Sequence, residues 1–238
     1  MKKLLFLVSV LAIAGIFGQV SAQSAASVID RYNKATGIGS ADVSKSNMMM
    51  KMTISNMGMT MPYTIVMANP THRMRMEMEA NGQKMLIVVS GDKGWMSIPG
   101  MGVQPLPAEQ IKQFQGQVNL LSNMKWDTES FDFELLPQVT ENGKKYDVVR
   151  AKSKKADASG NDQTVYFDNA TGLAAFVEAE AAPGQNARVL FGNYKTAGKL
   201  KYPSELKTLM GGKEASKITI DALEFDYPVK DEMFAEPK

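Results

Sequence analysis

The stretch NMMMKMTISNMGMTMPYTIVMANPTHRMRMEMEA, residues 47–80, decides how this chain folds. Its methionines recur at a spacing of two: Met48, Met50 and Met52, then Met57, Met59 and Met61, then Met74, Met76 and Met78. In an extended backbone successive side chains point to opposite faces, so residues two apart share one face. Polar residues fall between them, among them Lys51, Thr53, Thr60, Arg73, Arg75, Glu77 and Glu79. Three neighbouring strands with this pattern lay a methionine-lined face against a core or a cavity. Of the eighteen methionines in the chain, fourteen lie between Met48 and Met101, so the choice of residue is systematic. A sheet face is ordinarily built from Val, Ile and Leu, whose rotamers are better defined. Methionine is unbranched and flexible, and surfaces that accept variable apolar partners favour it. Three readings follow: an adaptable ligand-binding face, an unusual core, or a metal site.

Turn residues punctuate the strands on either side. Asn56 to Gly58, Asn69-Pro70, Asn81-Gly82 and Gly91-Asp92 separate strands predicted near 46–56, 60–69, 72–80, 84–90 and 93–98. Such short connections make an antiparallel meander. Pro99, Gly100, Gly102, Pro105 and Pro107 then break the pattern, and Pro107 suits the first turn of a helix. Ile111, Phe114 and Val118 follow at spacings of three and four, one apolar helical face. Gly116 weakens that helix, which reads as a short, mobile lid laid over the mouth of the sheet.

From Phe131 the strands resume, near 131–137, 144–152, 163–169, 173–181, 186–194, 203–210 and 214–224. Ahead of all of them, Ser27 to Ala35 reads as an amphipathic helix, with Val28, Tyr32 and Ala35 on one face and Gly37 where it stops. Strands do not alternate with helices, so no parallel sheet is expected. The predicted fold is mainly β: one large, curled antiparallel sheet, an open half-barrel of eleven to twelve strands, with a helical lid and a short N-terminal helix. Such sheets with a plugged mouth usually enclose an apolar ligand.

Residues 1–22 have the form of a secretory signal peptide. Lys2 and Lys3 precede the apolar run Leu4 to Phe17, and Val20-Ser21-Ala22 supplies small residues for cleavage. The mature domain is then 23–238, or 216 residues (238 − 22), enough for one β domain with a real core. Without Lys2 and Lys3 it carries 25 basic and 25 acidic residues (27 − 2 against 25), which gives no case for nucleic acid. There is no cysteine, hence no lipid anchor at the cleavage site and no disulfide. The lysine-led signal points to a Gram-negative periplasm.

Catalytic signatures are missing. The chain has one histidine, His72, and no Cys–His nucleophile, P-loop or dinucleotide fingerprint. Asp157 and Asp162 read as a solvated hairpin tip. A copper site is the one metal option, because thioether sulfur is a soft ligand for Cu(I) and His72, Met74 and Met76 alternate along one stretch. Residues two apart on a strand lie about 6–7 Å apart at Cβ, which is awkward for one small ion. Trp95, within a strand, reads as core or as part of the lining; Trp126 reads equally as rim or buried.

A family resemblance emerges at Gly91-Asp92-Lys93-Gly94-Trp95-Met96-Ser97-Ile98-Pro99, which resembles the G-x-x-x-W-x-x-x-P strand of LolA-like periplasmic carriers. The lid segment Leu106 to Val118, Tyr166-Phe167-Asp168 with Thr171-Gly172-Leu173, and the ending Pro228-Val229 to Met233-Phe234 are similar to the same family, nearest its outer membrane lipoprotein-sorting branch. The resemblance implies an open β-barrel of about eleven strands with a helical lid. It also implies a monomer without cofactor or enzymatic activity, which covers the acyl chains of lipoproteins or other lipids. Donor and acceptor proteins at the inner and outer membranes would be its partners. On this reading Met48, Met50, Met52, Met57, Met59, Met61, Met74, Met76, Met78 and Trp95 line the cavity, and Ile111, Phe114 and Val118 form the lid. The family's carriers hold the lid with an arginine on an early strand; Arg73 and Arg75 are the arginines available here.

Overall fold

The computed structural model describes residues 23–38, 45–56, 58–80, 82–117, 126–154, 162–182 and 184–237. Residues 1–22, for which a signal peptide is expected, lie outside that set, as do Met57, Val118 and most of the loop holding Asp157.

Helix α1 (Ala25–Thr36) opens the described chain. Ser24 caps it, accepting from the Ser27 backbone N–H while the Ser27 hydroxyl serves the Ser24 N–H, so two orphan donors are satisfied reciprocally. Gly37 ends it at φ 74°, and a Cβ there would sit 2.3 Å from the Lys199 carbonyl oxygen. Only glycine meets both demands.

Thirteen strands follow among the described residues: β1 (Asn47–Asn56), β2 (Met59–Ala68), β3 (Arg73–Ala80), β4 (Gln83–Ser90), β5 (Lys93–Ile98), β6 (Gly102–Pro105), β7 (Phe131–Glu141), β8 (Lys144–Ser153), β9 (Gln163–Asp168), β10 (Ala174–Ala182), β11 (Gln185–Ala197), β12 (Leu200–Met210) and β13 (Lys213–Phe225). Helix α2 (Ala108–Gln117) joins β6 to the second run. All thirteen form one antiparallel sheet in the order β6-β5-β4-β3-β2-β1-β13-β12-β11-β10-β9-β8-β7. Two meanders thus meet where β1 pairs with β13, and β6 and β7 stand at the two ends. The sheet is open.

The sequence predicts twelve of these strands within a few residues. The thirteenth, β6, lies in the Gly- and Pro-rich break that reads as a pure interruption. Proline is tolerated on an edge strand, where no neighbour needs its missing N–H. The first strand run therefore extends one hairpin further than its composition advertises.

Alternation divides the sheet into two faces. On the concave face β1 to β4 contribute Met48, Met50, Ile65, Met67, Met74, Ile87 and Val89 to the main core, which both helices share through Val28, Ile29, Tyr32 and Ile111. On the convex face Met49, Val66, Val88 and Trp95 form a second, smaller core. Residues 227–234 cover it, with Tyr227, Val229, Met233 and Phe234 packed down. Arg73 fastens this strap: its Nη1 lies 2.7 Å from the Asp231 carboxylate, and its guanidinium stacks 4.7 Å above the Phe234 ring.

Candidate functional site

The strand register gathers the methionines into rows. Direct cross-strand partners share a face with Cβ atoms roughly 5 Å apart. One row runs Met48–Met67–Met74–Val89, the next Met50–Ile65–Met76–Ile87–Met96, and a third Met52–Tyr63–Met78–Met85. Ile54 and Met61 begin a fourth. Every one of these lies on the concave face, and Met67, Met85 and Met96 extend the set that the spacing of two identifies.

The rows differ in exposure. The first is buried throughout, and Met50 in the second is only 1% exposed. Met52, Ile54, Met61, Tyr63, Met76, Met78, Met85 and Met96 are half-buried. Met59, at the hairpin end, is 65% exposed. Burial therefore falls from the helix-covered end of the strands toward the hairpins at 56–59 and 80–83. The methionine stripe has two parts: a floor that is core, and a half-open stretch beyond it.

Two helices cover the closed part. α2 lies over β4 and β5, where Gly94 makes room: a Cβ there would be 2.9 Å from Leu106 Cδ1 and 3.0 Å from Ile111 Cγ1. Ile111 is buried in the main core, Phe114 is half-buried against it, and Gln115 Nε2 donates to the Gly91 carbonyl at 2.8 Å. Ile111 is thus an anchor, and Phe114 packs half-buried against the same core. Phe114→Ser is expected to cost about 1 kcal/mol in stability, because a half-buried ring loses only part of its transfer energy. It should also speed release of a bound acyl probe several-fold in stopped-flow displacement. An unchanged rate would deny α2 any gating part.

α1 covers the far side, against β7, β8 and β12. Tyr32 meets Phe167 edge-on at 5.4 Å. Trp126, for which the sequence leaves rim and burial equally open, is buried, 5.5 Å from the Phe131 ring. Arg31 forms an ion pair with Asp147 on β8, whose side chain is fully buried. Gln138 donates to the same carboxylate at 2.5 Å, and Asn169 Nδ2 reaches its two oxygens at 3.2 and 3.1 Å. Burial alone would raise the Asp147 carboxyl; hydrogen bonds from Arg31, Gln138 and Gln23 outweigh it and hold the group below its ordinary value.

Among the described residues, the partners of the early-strand arginines lie on the convex side and not on α2. Arg73 and Arg75 alternate with the methionines and so face the convex side, where Arg75 bonds Glu77 and the Met233 carbonyl. The latch that ties a helix to this sheet is Arg31 with Asp147, a pair 116 residues apart that no spacing rule would find.

Trp95 leaves the candidate lining. It pairs with Val88 on the convex face beneath the C-terminal strap, and its neighbour Met96 takes the concave position. His72 also moves. β3 starts at Arg73, and His72 sits exposed in the preceding turn at φ 51°, while Met74 is buried and Met76 half-buried. The strand end removes the histidine from the methionine row.

Charge is confined to the other face. Over residues 47–105 and 216–225 the register puts every Lys, Arg, Asp and Glu of the strands on the convex side. The open stretch of the concave face is therefore uncharged and mostly apolar; its polar groups include Tyr63, whose hydroxyl lies 4.0 Å from Met61 Sδ, and Gln104, which faces Met96 across β5 and β6. An open cleft of about 580 Å³ elsewhere, lined by Asp162, Glu178, Glu180 and Arg188 among others, has the opposite character. No three His, Cys, Asp or Glu side chains among the described residues gather as a metal site. No described helix is long and apolar enough to cross a membrane.

No protein-family model and no curated protein matches the sequence. Solved structures do match the fold. A LolA superfamily protein from Nitrosomonas europaea superimposes with a TM-score of 0.55 at 12% identity, covering 90% of this chain and 98% of its own. A domain from Vibrio parahaemolyticus classed with outer membrane lipoprotein-sorting proteins gives 0.52 at 14%, covering 87% and 95%. A DUF1329 family protein from Desulfovibrio piger gives 0.54 at 15%, covering 87% and 97%. At these identities the likeness is one of fold: the open antiparallel sheet of LolA superfamily proteins.

Proposed function

We propose that this chain is a periplasmic carrier that shields the acyl chains of lipoproteins or other lipids, acting by binding and release rather than catalysis. One observation carries the reading: the uncharged rows from Met52 to Met96 on the concave face are only half-buried, packed at the margin of a fully buried core. Apolar surface of that kind is costly in water unless something covers it. An acyl chain needs no polar partner, and these rows offer almost none. The lining is Met52, Met61, Met76 and Met78, with Met85 and Met96 added, on a floor of Met48, Met50 and Met74. The fold similarity to lipoprotein-sorting domains supports the same ligand class, and with it donor and acceptor partners at the two membranes.

The magnitude is modest. Covering about ten methylenes at roughly 0.8 kcal/mol each offers on the order of 8 kcal/mol. That gross figure corresponds to about micromolar binding before the entropy of ordering the chain is counted. A methionine lining adapts, so it accepts chains of several lengths without a steep packing penalty. Calorimetry with single-chain lipids is expected to give micromolar or weaker affinity that varies smoothly from about twelve to eighteen carbons. A sharp optimum at one length, or tight stoichiometric Cu(I) capture in a parallel competition assay, would overturn the reading.

A further inference from the structure

Methionine gives the concave face a chemistry that leucine would not. A thioether sulfur takes one oxygen atom from a peroxide: the sulfur is oxidised by two electrons, the O–O bond breaks, and the other oxygen leaves as water. The product, methionine sulfoxide, is polar and carries a strong hydrogen-bond acceptor. We propose that Met52, Met61, Met76, Met78, Met85 and Met96 form an oxidant-responsive modification site, where peroxide-class oxidants convert the apolar face into one that releases its acyl ligand. The proposal rests on the carrier reading above.

Graded burial is what makes the response specific. Met59, at the hairpin end of the same face, and Met101 are 65% and 64% exposed and meet an oxidant first. The six half-buried methionines of the rows come next, together with Met210 and Met233, which are half-buried elsewhere. Met48, Met49, Met50, Met67 and Met74 are at most 5% exposed and lie in the two cores, where oxidation would destroy packing. The fold therefore shields the methionines it needs and presents those that a ligand would touch.

The surroundings make the change costly for an apolar ligand. A sulfoxide oxygen under an acyl chain has lost water and needs a donor. The register supplies no Lys or Arg on this part of the face. The Tyr63 hydroxyl lies 4.0 Å from Met61 Sδ, and the Gln104 amide, which faces Met96, already donates to the Met101 carbonyl at 3.4 Å. Because Met78 faces Met85 directly across β3 and β4, two sulfoxides there would also place like dipoles side by side. Replacing the row by Leu would keep its apolar character and remove its response.

The test titrates the full-length mature protein with hydrogen peroxide, following peptide masses, affinity for a fluorescent sixteen-carbon fatty acid, and near-ultraviolet circular dichroism. Expected first is oxidation of Met59 and Met101 with affinity unchanged. Oxidation of the six then weakens binding at least tenfold while the dichroism persists. Treatment with methionine sulfoxide reductases A and B restores affinity. The variant Met76→Leu/Met78→Leu/Met85→Leu, whatever its own starting affinity, should lose a smaller fraction of that affinity on peroxide than the parent does. If it does not fold, reductase rescue of the parent carries the decision. Affinity that survives oxidation of the six, that falls only as the dichroism falls, or that the reductases do not restore would overturn the switch and leave the carrier reading standing. No probe binding before peroxide would sink the carrier reading, and the switch with it.

Discussion

Met76→Glu is expected to leave the protein folded and to weaken acyl binding about a hundredfold, whereas Met50→Glu is expected to unfold it. The two residues flank Ile65 in one row, each facing it across its own strand pair, and the spacing of two makes them equivalent. Their surroundings differ. Met50 is 1% exposed, so its replacement buries a carboxylate in the main core at a cost of about 4 kcal/mol or more. The carboxylate of Met76→Glu can turn toward water from a half-buried position, at a cost of roughly 1 kcal/mol in stability. It would, however, lie where the ligand's methylenes must lie, and a hundredfold loss corresponds to about 2.7 kcal/mol. Urea melts read beside fatty-acid titrations separate the outcomes. Collapse of both variants would make the whole stripe core, and unchanged binding by Met76→Glu would remove the face from the site.

Asp147→Asn should destabilise the protein by about 3 kcal/mol at neutral pH, the lower end of what breaking a buried ion pair costs. The Asp147 side chain is fully buried, but Arg31 is 37% exposed and recovers part of its hydration. The asparagine would also turn a donor toward Gln138 and Asn169, which now donate to the carboxylate. The pH dependence has a definite sign. The folded carboxyl is held below its ordinary value, so the ionised form favours the folded state. Its contribution is complete above the unfolded value of about 3.9 and is lost as pH falls through the lowered folded value. The gap between parent and variant should be constant from about pH 5 to 8 and shrink below about pH 4. A gap that persists undiminished at low pH would show that packing, and not charge, ties α1 to the sheet.

The sequence by itself determined the strands, because a period of two is written locally in the residues. Met48 to Met78, with turns at Asn69-Pro70 and Asn81-Gly82, can be extended and antiparallel with little else to choose. Gly37 and Pro107 likewise mark the end of one helix and the start of another. The open sheet follows from twelve such strands without a helical crossover.

Only the tertiary structure decided which methionines are floor and which are lining. Met50 and Met76 obey the same alternation, and the difference between them is where α1 and α2 come to rest, a long-range matter. For the same reason Trp95 fell on the convex face, under a strap formed more than 130 residues later. The face of a strand can be read in parity, but parity does not say which face is inside when both are apolar at Val88 and Val89. Register also decided the site's charge: Arg73, Arg75, Glu77 and Glu79 are close in sequence to the methionines and on the opposite side of the sheet. Likewise the pairing of Arg31 with Asp147 needs the chain folded, since burial in a shared core, and not spacing, brings a helix and a strand 116 residues apart into contact.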